Sequence, residues 1–219
     1  MKLNKNLVIS MMIIGLLIMG ISVSAEEVTV EDYDNFKVNI DTPVNTIVCL
    51  STSANQVLMA LNSFNKVIAW DKNSDEGIFP EPEREIKVAA KSSHSPQIEA
   101  IAELDPDLVI ADTMLQDDHR QKIESFEIPV IVERLSDSER VFTTIRNIGK
   151  VLEKEERAEK LITFISEYRE MIEERTQKAN LSKDEKTKVY WEWNKPFKTG
   201  SSGASVHPKI VQAGGINIC

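Results

Sequence analysis

The sequence predicts an α/β protein with a Rossmann-like parallel-sheet lobe, a long connecting helix and an incomplete second α/β lobe. Short apolar runs of strand length alternate with segments whose apolar residues recur at helical spacing, which is typical of a parallel sheet with right-handed crossovers. An apolar stripe from Ala158 to Ile172 then predicts one long helix over residues 155–180. About 35 residues follow the next charged linker, which is too few to close a second hydrophobic core.

Residues 98–114 show the helix–strand alternation most clearly. Ser95–Pro96 predicts an N-cap residue followed by proline at the first helical position, and apolar residues then recur at helical spacing. Asp105–Pro106 stops this helix because the residue before a proline avoids the α region. Residues 107–111 form a nearly continuous apolar run, as expected of a parallel strand that is covered on both faces.

The same segment predicts where a ligand would bind. The helix runs away from one edge of the sheet and the strand returns to it, so the loops at residues 91–95 and 112–115 lie on the same edge. That edge holds the carboxyl ends of the parallel strands, where open α/β sheets bind their ligands. Glu99 lies in the first turn of the helix, beside this edge.

The rest of the chain supplies further strands and helices. Residues 26–44 predict an edge hairpin or a loosely attached arm. Apolar and aromatic runs predict strands at residues 46–50, 66–70, 87–90, 128–132 and 187–193. Helices are predicted at residues 54–61, 115–126 and 205–213, and from a cap at Asp137 or Ser138 to about residue 152.

The N-terminal segment predicts export from the cytoplasm. Lys2 and Lys5 precede an apolar run over residues 7–23, and small or apolar residues fit a signal-peptidase site after Ala25. An uncleaved membrane anchor over the same run is the alternative, and both interpretations place the rest of the chain outside the cytoplasm. Loss of the two lysines would change the formal charge from −9 to −11. So acidic an exported domain is not expected to bind nucleic acid or anionic membrane surfaces.

These features divide the chain into four parts. A signal peptide or anchor, an N-terminal α/β lobe, a helical connector and the start of a truncated C-terminal lobe are predicted at residues 1–25, 26–137, 138–181 and 182–219. Cys49 lies in an apolar strand and is expected to be a buried thiol. Two cysteines, of which Cys219 is the other, do not make a disulfide scaffold.

The ordered set of segments resembles a known family. The chain contains, in order, PVNTIVCLSTSANQVLMAL, KVIAW, PQIEAIAELDPDLVIA, IPVIV, a long helix, KVYWEWNKPFKTGSSG and AGGINI. From Pro43 onward this order resembles the iron-siderophore and cobalamin class of ABC-transporter substrate-binding proteins. The resemblance implies two α/β lobes joined by a rigid helix, with the ligand held in the cleft between the lobes.

The resemblance also implies how the protein meets its permease. In this family each lobe offers an acidic residue to arginines of the membrane permease, and Glu99 matches that residue in the first lobe. An exposed carboxylate can form bidentate hydrogen bonds with arginine. The alternative role of Glu99 is that of a helix-start carboxylate favoured by the macrodipole. The equivalent carboxylate of the second lobe would lie beyond Cys219.

Side chains that follow the predicted strands are the candidate ligand contacts. Polar residues of four loops could supply hydrogen bonds, namely Ser51, Thr52, Asp71, Ser93, His94, Asp112 and Thr113. Trp70 would either stack on a flat ligand or cover the sheet, and Trp193 is expected to reach the cleft. Corrinoid binders of the family tend to place aromatic residues where this chain has Asp112, which weakens the case for a corrinoid ligand.

The predicted function is therefore capture and delivery of a small molecule. A monomeric extracytoplasmic protein would bind an iron complex, such as a siderophore or a haem-like chelate, or a corrinoid, and present it to an ABC permease without a cofactor. A metal-dependent enzyme that uses His119 with Asp117 and Asp118 is one alternative, although no spacing indicates converging ligands. An interaction module that retains the lobe and binds no small molecule is the other.

Overall fold

A five-stranded parallel sheet is the centre of the structure, a computed structural model that describes residues 26–74, 79, 85–138 and 140–219. Its strands are β3 (Ile47–Leu50), β4 (Val67–Asp71), β5 (Lys87–Ala90), β6 (Leu108–Asp112) and β7 (Val130–Glu133). They lie in the order β5-β4-β3-β6-β7. After β3 the chain builds outward through β4 to β5, and it then crosses to the other side of β3 for β6 and β7. The carboxyl ends of β3 and β6 therefore flank the point at which the strand order reverses, where such sheets bind ligands.

Helices cover both faces of this sheet, which confirms the predicted α/β class. They are α1 (Thr52–Ala60), α2 (Ile98–Leu104), α3 (Asp117–Glu124), α4 (Val141–Val151) and the first turns of α5 (Glu155–Ala179), whereas α6 (Val206–Gln212) lies beyond the sheet. Successive strand residues point to opposite faces. Ile47 and Cys49 of β3 thus enter the core under α1, α4 and α5, whereas Val48 and Leu50 enter the core under α2 and α3. Cys49 is free and buried, as expected.

A hairpin precedes the sheet. Strand β1 (Glu26–Glu31) pairs antiparallel with β2 (Lys37–Thr42) over their whole length. Every second residue of β2 is buried, because Val38 and Ile40 join the core cluster while the residues between them face solvent. The prediction of a hairpin is confirmed. The apolar face of this hairpin packs into the core that also covers one face of the sheet.

The turn of this hairpin is packed against the edge strand β7. Asp32 accepts a hydrogen bond from Arg120 Nη1 at 2.7 Å, and both side chains are buried. Asp32 also accepts from the Val132 N–H at 3.2 Å, and the Tyr33 N–H donates to Val132 O at 3.0 Å. Arg120 Nη2 donates to Val130 O at 3.1 Å. The turn and Arg120 thus satisfy backbone groups on the outer side of β7.

Helix α5 leads from the sheet to a smaller second unit. Its 25 residues span about 37 Å, which confirms the predicted long helix. Beyond it, β8 (Lys188–Val189), α6 and β9 (Ile216–Asn217) form a β-α-β unit whose two strands are parallel. A hydrogen bond of 3.3 Å from Thr176 Oγ1 to Gln212 O connects α6 to α5. The division of the chain into two lobes at this helix stays a prediction.

The predicted start of α2 is wrong. The helix begins at Ile98, and Ser95–Pro96 lies outside it. Pro96 forms an isolated bridge with Ala90, and the Gln97 N–H donates to Ala89 O at 2.9 Å. These contacts hold the chain extended up to Gln97, so that the helix starts later than the capping pattern suggests.

The last predicted strand is shorter than expected, and α4 starts later than expected. The strand expected over residues 187–193 is confined to Lys188–Val189, because its partner β9 has two residues. Helix α4 starts at Val141, after the predicted caps, and the Asp137 carboxylate instead accepts from the Arg140 N–H at 3.3 Å.

No helix in the described part of the chain is both long and apolar enough to cross a membrane. The predicted signal peptide or anchor at residues 1–25 lies outside the described residues.

Candidate functional site

A cleft of about 350 Å³ lies at the carboxyl ends of the parallel strands. Its lining includes residues that end or follow β3, β4, β5, β6 and β7, together with two residues of the second unit, Trp193 and Ser205. Seven of the residues predicted as ligand contacts line it, and these are Ser51, Thr52, Asp71, Ser93, Asp112, Thr113 and Trp193. The cleft thus forms at the edge that the sequence indicates.

Ser51 joins the end of β3 to the start of α1. Its extended backbone, with φ of −137° and ψ of 118°, makes it the N-cap of α1, and its Oγ accepts from the Ala54 N–H at 3.2 Å. The same hydroxyl donates to Glu133 Oε1 at 2.5 Å. Ser51 therefore fixes the orientation of the Glu133 carboxylate, which comes from the edge strand β7.

Glu133 is a site residue that the sequence analysis missed. It ends β7, is 2% exposed and also accepts from the Leu135 N–H at 2.6 Å. Burial raises the pKa of this carboxyl to about 6, against the effect of its two hydrogen bonds. The negative charge of Asp112 raises it further. Its position in the sequence could have identified it, because Glu133 follows an apolar run at a strand end, as Asp71 and Asp112 do.

Ser93 and Asp112 connect the loops after β5 and β6 to the end of β3. The buried Ser93 hydroxyl donates to Leu50 O and accepts from the Asp112 N–H at 3.3 Å. Asp112 Oδ1 accepts from the Met114 N–H at 2.8 Å, which forms the turn after β6. Burial raises the pKa of the Asp112 carboxyl, and the negative charge of Asp71 adds to this.

Asp71 brings a third carboxylate to the cleft. It ends β4, is 2% exposed and accepts from Ser74 Oγ at 2.7 Å and from the Asn73 N–H at 3.3 Å. Thr52 Oγ1 lies 3.3 Å from the same Ser74 hydroxyl. A serine hydroxyl thus orients the Asp71 carboxylate, as the Ser51 hydroxyl orients that of Glu133.

Trp193 provides the aromatic surface of the cleft. Its side chain is 53% exposed and packs edge-on against Trp191, with ring centroids 4.8 Å apart. Lys198 Nζ lies 5.9 Å from the Trp193 ring centroid. A ring held in this way keeps one part free to contact a molecule in the cleft.

Two predicted contacts lie elsewhere. Trp70 is 5% exposed and packs in the core with Phe64 and Phe79, at centroid distances of 6.1 and 6.0 Å. It therefore covers the sheet, which is the second of the two predicted roles. Side chains alternate along β4, so Trp70 enters the core under α1 and the next residue, Asp71, does not. His94 is exposed on the loop after β5 and is not among the residues that line the cleft.

Glu99 lies in the first turn of α2 and is exposed. Its position leaves the carboxylate accessible to a partner, and its role in docking stays a prediction. The metal-site alternative gains no support, because the described residues contain no group of three or more His, Cys, Asp or Glu side chains that could hold a metal ion. The first three residues of α3 are Asp117, Asp118 and His119, and their side chains do not converge into a group of this kind.

One family profile and several solved structures are similar to this chain. The profile, described as periplasmic binding protein, matches residues 47–219. A periplasmic solute binding protein from Veillonella parvula DSM 2008 is 22% identical with a TM-score of 0.71, over 88% of this chain and 60% of that one. The molybdate periplasmic binding protein MolA of a Haemophilus influenzae ABC transporter is 19% identical with a TM-score of 0.73, over 87% and 65%. The heme binding protein HmuT is 18% identical with a TM-score of 0.65, over 91% and 65%.

These similarities concern the fold. No curated protein sequence matches the chain, and the identities to the three solved structures are 18 to 22%. The chain spans 60 to 65% of the length of those structures.

Proposed function

Because the chain belongs to the periplasmic binding protein family, we propose that it is an extracytoplasmic substrate-binding component of an ABC importer. It captures a small molecule in the cleft and releases that molecule unchanged to the permease. The proposed ligand is an iron complex, either a siderophore or a haem-like chelate, with a corrinoid as the less favoured choice. The protein needs no cofactor and performs no reaction.

The convergence of strand-end loops around one cleft is the observation that carries this proposal. Hydroxyl groups and carboxylates of the first lobe face a cavity of about 350 Å³ that also has an exposed indole on its lining. Ligand sites in proteins combine such a concave surface with a few oriented polar groups. An exposed Trp193 would bury apolar area against a chelate while the hydroxyls bond to its polar atoms.

The proposed route of delivery uses the face of Glu99. This carboxylate is exposed near the same edge as the cleft, and a permease arginine could bind it through two parallel hydrogen bonds. Export by residues 1–25 would place both the cleft and Glu99 outside the cytoplasm.

Ligand titration of the full chain tests the proposal. Intrinsic tryptophan fluorescence is followed during addition of a ferric trihydroxamate, a ferric tricatecholate, haem and cyanocobalamin. We expect a saturable change with at least one of these ligands. Trp193→Ala should weaken binding about tenfold, which is the effect of removing an aromatic contact worth about 1.4 kcal/mol.

A matched aromatic variant controls for indirect effects. Tyr168 on α5 is 51% exposed, close to the exposure of Trp193, and does not line the cleft. Tyr168→Ala should leave the affinity unchanged. If none of the four ligands produces a saturable change in the wild-type protein, the proposed ligand class is wrong and an interaction module becomes the better description.

A further inference from the structure

Three carboxylates line the cleft without an ion-pair partner among the residues that the structure describes. Asp71, Asp112 and Glu133 all line it, and none of them takes part in an ion pair within the described part of the chain. The hydrogen bonds that they accept come from hydroxyl and backbone N–H groups, which are neutral. Buried charges are ordinarily paired, because desolvation penalises an isolated charge.

The three charges also oppose one another. The charge of Asp71 raises the pKa of Asp112, and the charge of Asp112 raises the pKa of Glu133. The pKa of Glu133 is about 6, so this carboxyl carries negative charge at neutral pH. A positive group that enters the cleft would relieve both the desolvation and the mutual repulsion.

Arg134 lines the cleft but forms no ion pair with any of these three carboxylates. Among the described residues that line the cleft it is the one basic side chain. Its guanidinium donates to the Tyr33 hydroxyl at 3.0 Å and lies 5.6 Å from the centroid of the Tyr33 ring. The guanidinium is therefore engaged with the hairpin turn. Among the described lining residues, three carboxylates face one guanidinium, so the cleft carries an excess of negative charge that a positive group would offset.

Resting on the proposed function, we propose that the cleft selects a cationic ligand, namely a metal chelate or small molecule that presents a free ammonium group, and excludes anions. The ammonium group lies among Asp71, Asp112 and Glu133, and the body of the ligand contacts Trp193. Oxyanions and ferric tricatecholates with a net negative charge are repelled. The cargo of the molybdate-binding relative therefore does not transfer to this chain.

A matched pair of ligands tests the charge preference. The probe is a linear ferric trihydroxamate that carries one free terminal amine, and its partner is the same complex with that amine acetylated. Both have the same size, metal and chelating groups, and they differ by one positive charge. Affinities are measured by quenching of tryptophan fluorescence with the full chain. The amine form should bind at least tenfold more tightly at low salt, and the advantage should shrink as salt screens the interaction.

Two variants that each remove one carboxylate charge test whether the preference for the amine form arises in the cleft. Asp112→Asn and Glu133→Gln should each reduce the advantage of the amine form about tenfold while leaving binding of the acetylated form within about twofold. Glu170→Gln makes the same charge change on an exposed position of α5 that does not line the cleft, and it should leave both affinities unchanged. Far-ultraviolet circular dichroism confirms that each variant is folded.

The outcomes separate this inference from the proposed function. Equal binding of the amine and acetylated forms, or tighter binding of a ferric tricatecholate, would overturn the cationic preference and leave the binding function standing. A preference that survives both cleft variants would also overturn it, because the charge would then be recognised elsewhere. Absence of binding by any ferric complex or by cobalamin would remove the proposed function and this inference with it.

Discussion

Replacing Glu133 with glutamine should remove a pH dependence from the stability of the protein. Burial raises the pKa of this carboxyl from 4.5 to about 6 in the folded state. The folded protein therefore binds the proton more tightly than the unfolded chain does between these two values. The stabilisation from this proton is complete below pH 4.5, decreases as the pH rises and is lost above about pH 6.

The size of the effect follows from the difference between the two pKa values. One pKa unit corresponds to about 1.36 kcal/mol, so a rise from 4.5 to about 6 corresponds to about 2 kcal/mol. Glutamine stays neutral at every pH and keeps the local hydrogen bonds. Its oxygen can accept from the Leu135 N–H, and its amide can donate to Ser51 Oγ.

Urea unfolding measured from about pH 4 to about pH 7 checks this prediction. The free energy of unfolding of Glu133→Gln, relative to wild type, should rise by about 2 kcal/mol across this range. Glu170→Gln, on the exposed side of α5, should differ from wild type by a constant amount. A Glu133→Gln difference that does not change with pH would refute the argument that burial holds the proton on Glu133.

Other predictions concern the hairpin, the helix contact and the docking face. Asp32→Ala should lower the free energy of unfolding by about 3 kcal/mol, since it leaves Arg120 buried with one partner fewer; a loss below about 1 kcal/mol in urea unfolding would contradict this. Gly149→Ala should cost about 1 to 3 kcal/mol in the same assay, because its Cβ would lie 2.5 Å from Ala158 Cβ where α4 meets α5. Glu99→Ala should leave ligand affinity unchanged and weaken docking to the reconstituted permease about tenfold, and unchanged docking would exclude Glu99 as a contact.

The position of the cleft could be predicted from the sequence because it depends on topology. Once β3, β4 and β6 are parallel, the residues that end them must meet at one edge, whatever the details of their side chains. Ser51, Asp71 and Asp112 were found in this way. The same reasoning applies to Glu133, because it directly follows the strand predicted at residues 128–132.

Side-chain direction and loop geometry could not be predicted in the same way. Trp70 and Asp71 are adjacent, yet one is packed in the core and the other lines the cleft, because the alternation along β4 decides which face each residue takes. A sequence alone does not determine which residue at the end of a strand faces the core and which faces the cleft. The late start of α2 likewise depends on a contact between Ala90 and Pro96 that local capping preferences do not contain.

The attachment of the hairpin turn to β7 has a consequence for solubility. An edge strand with free N–H and C=O groups is a template on which another chain can add a strand and begin aggregation. Here the Val132 N–H, Val132 O and Val130 O are already bonded to Asp32, Tyr33 and Arg120. These backbone groups are therefore occupied, and a second copy of the chain has fewer free groups at this edge on which to add a strand.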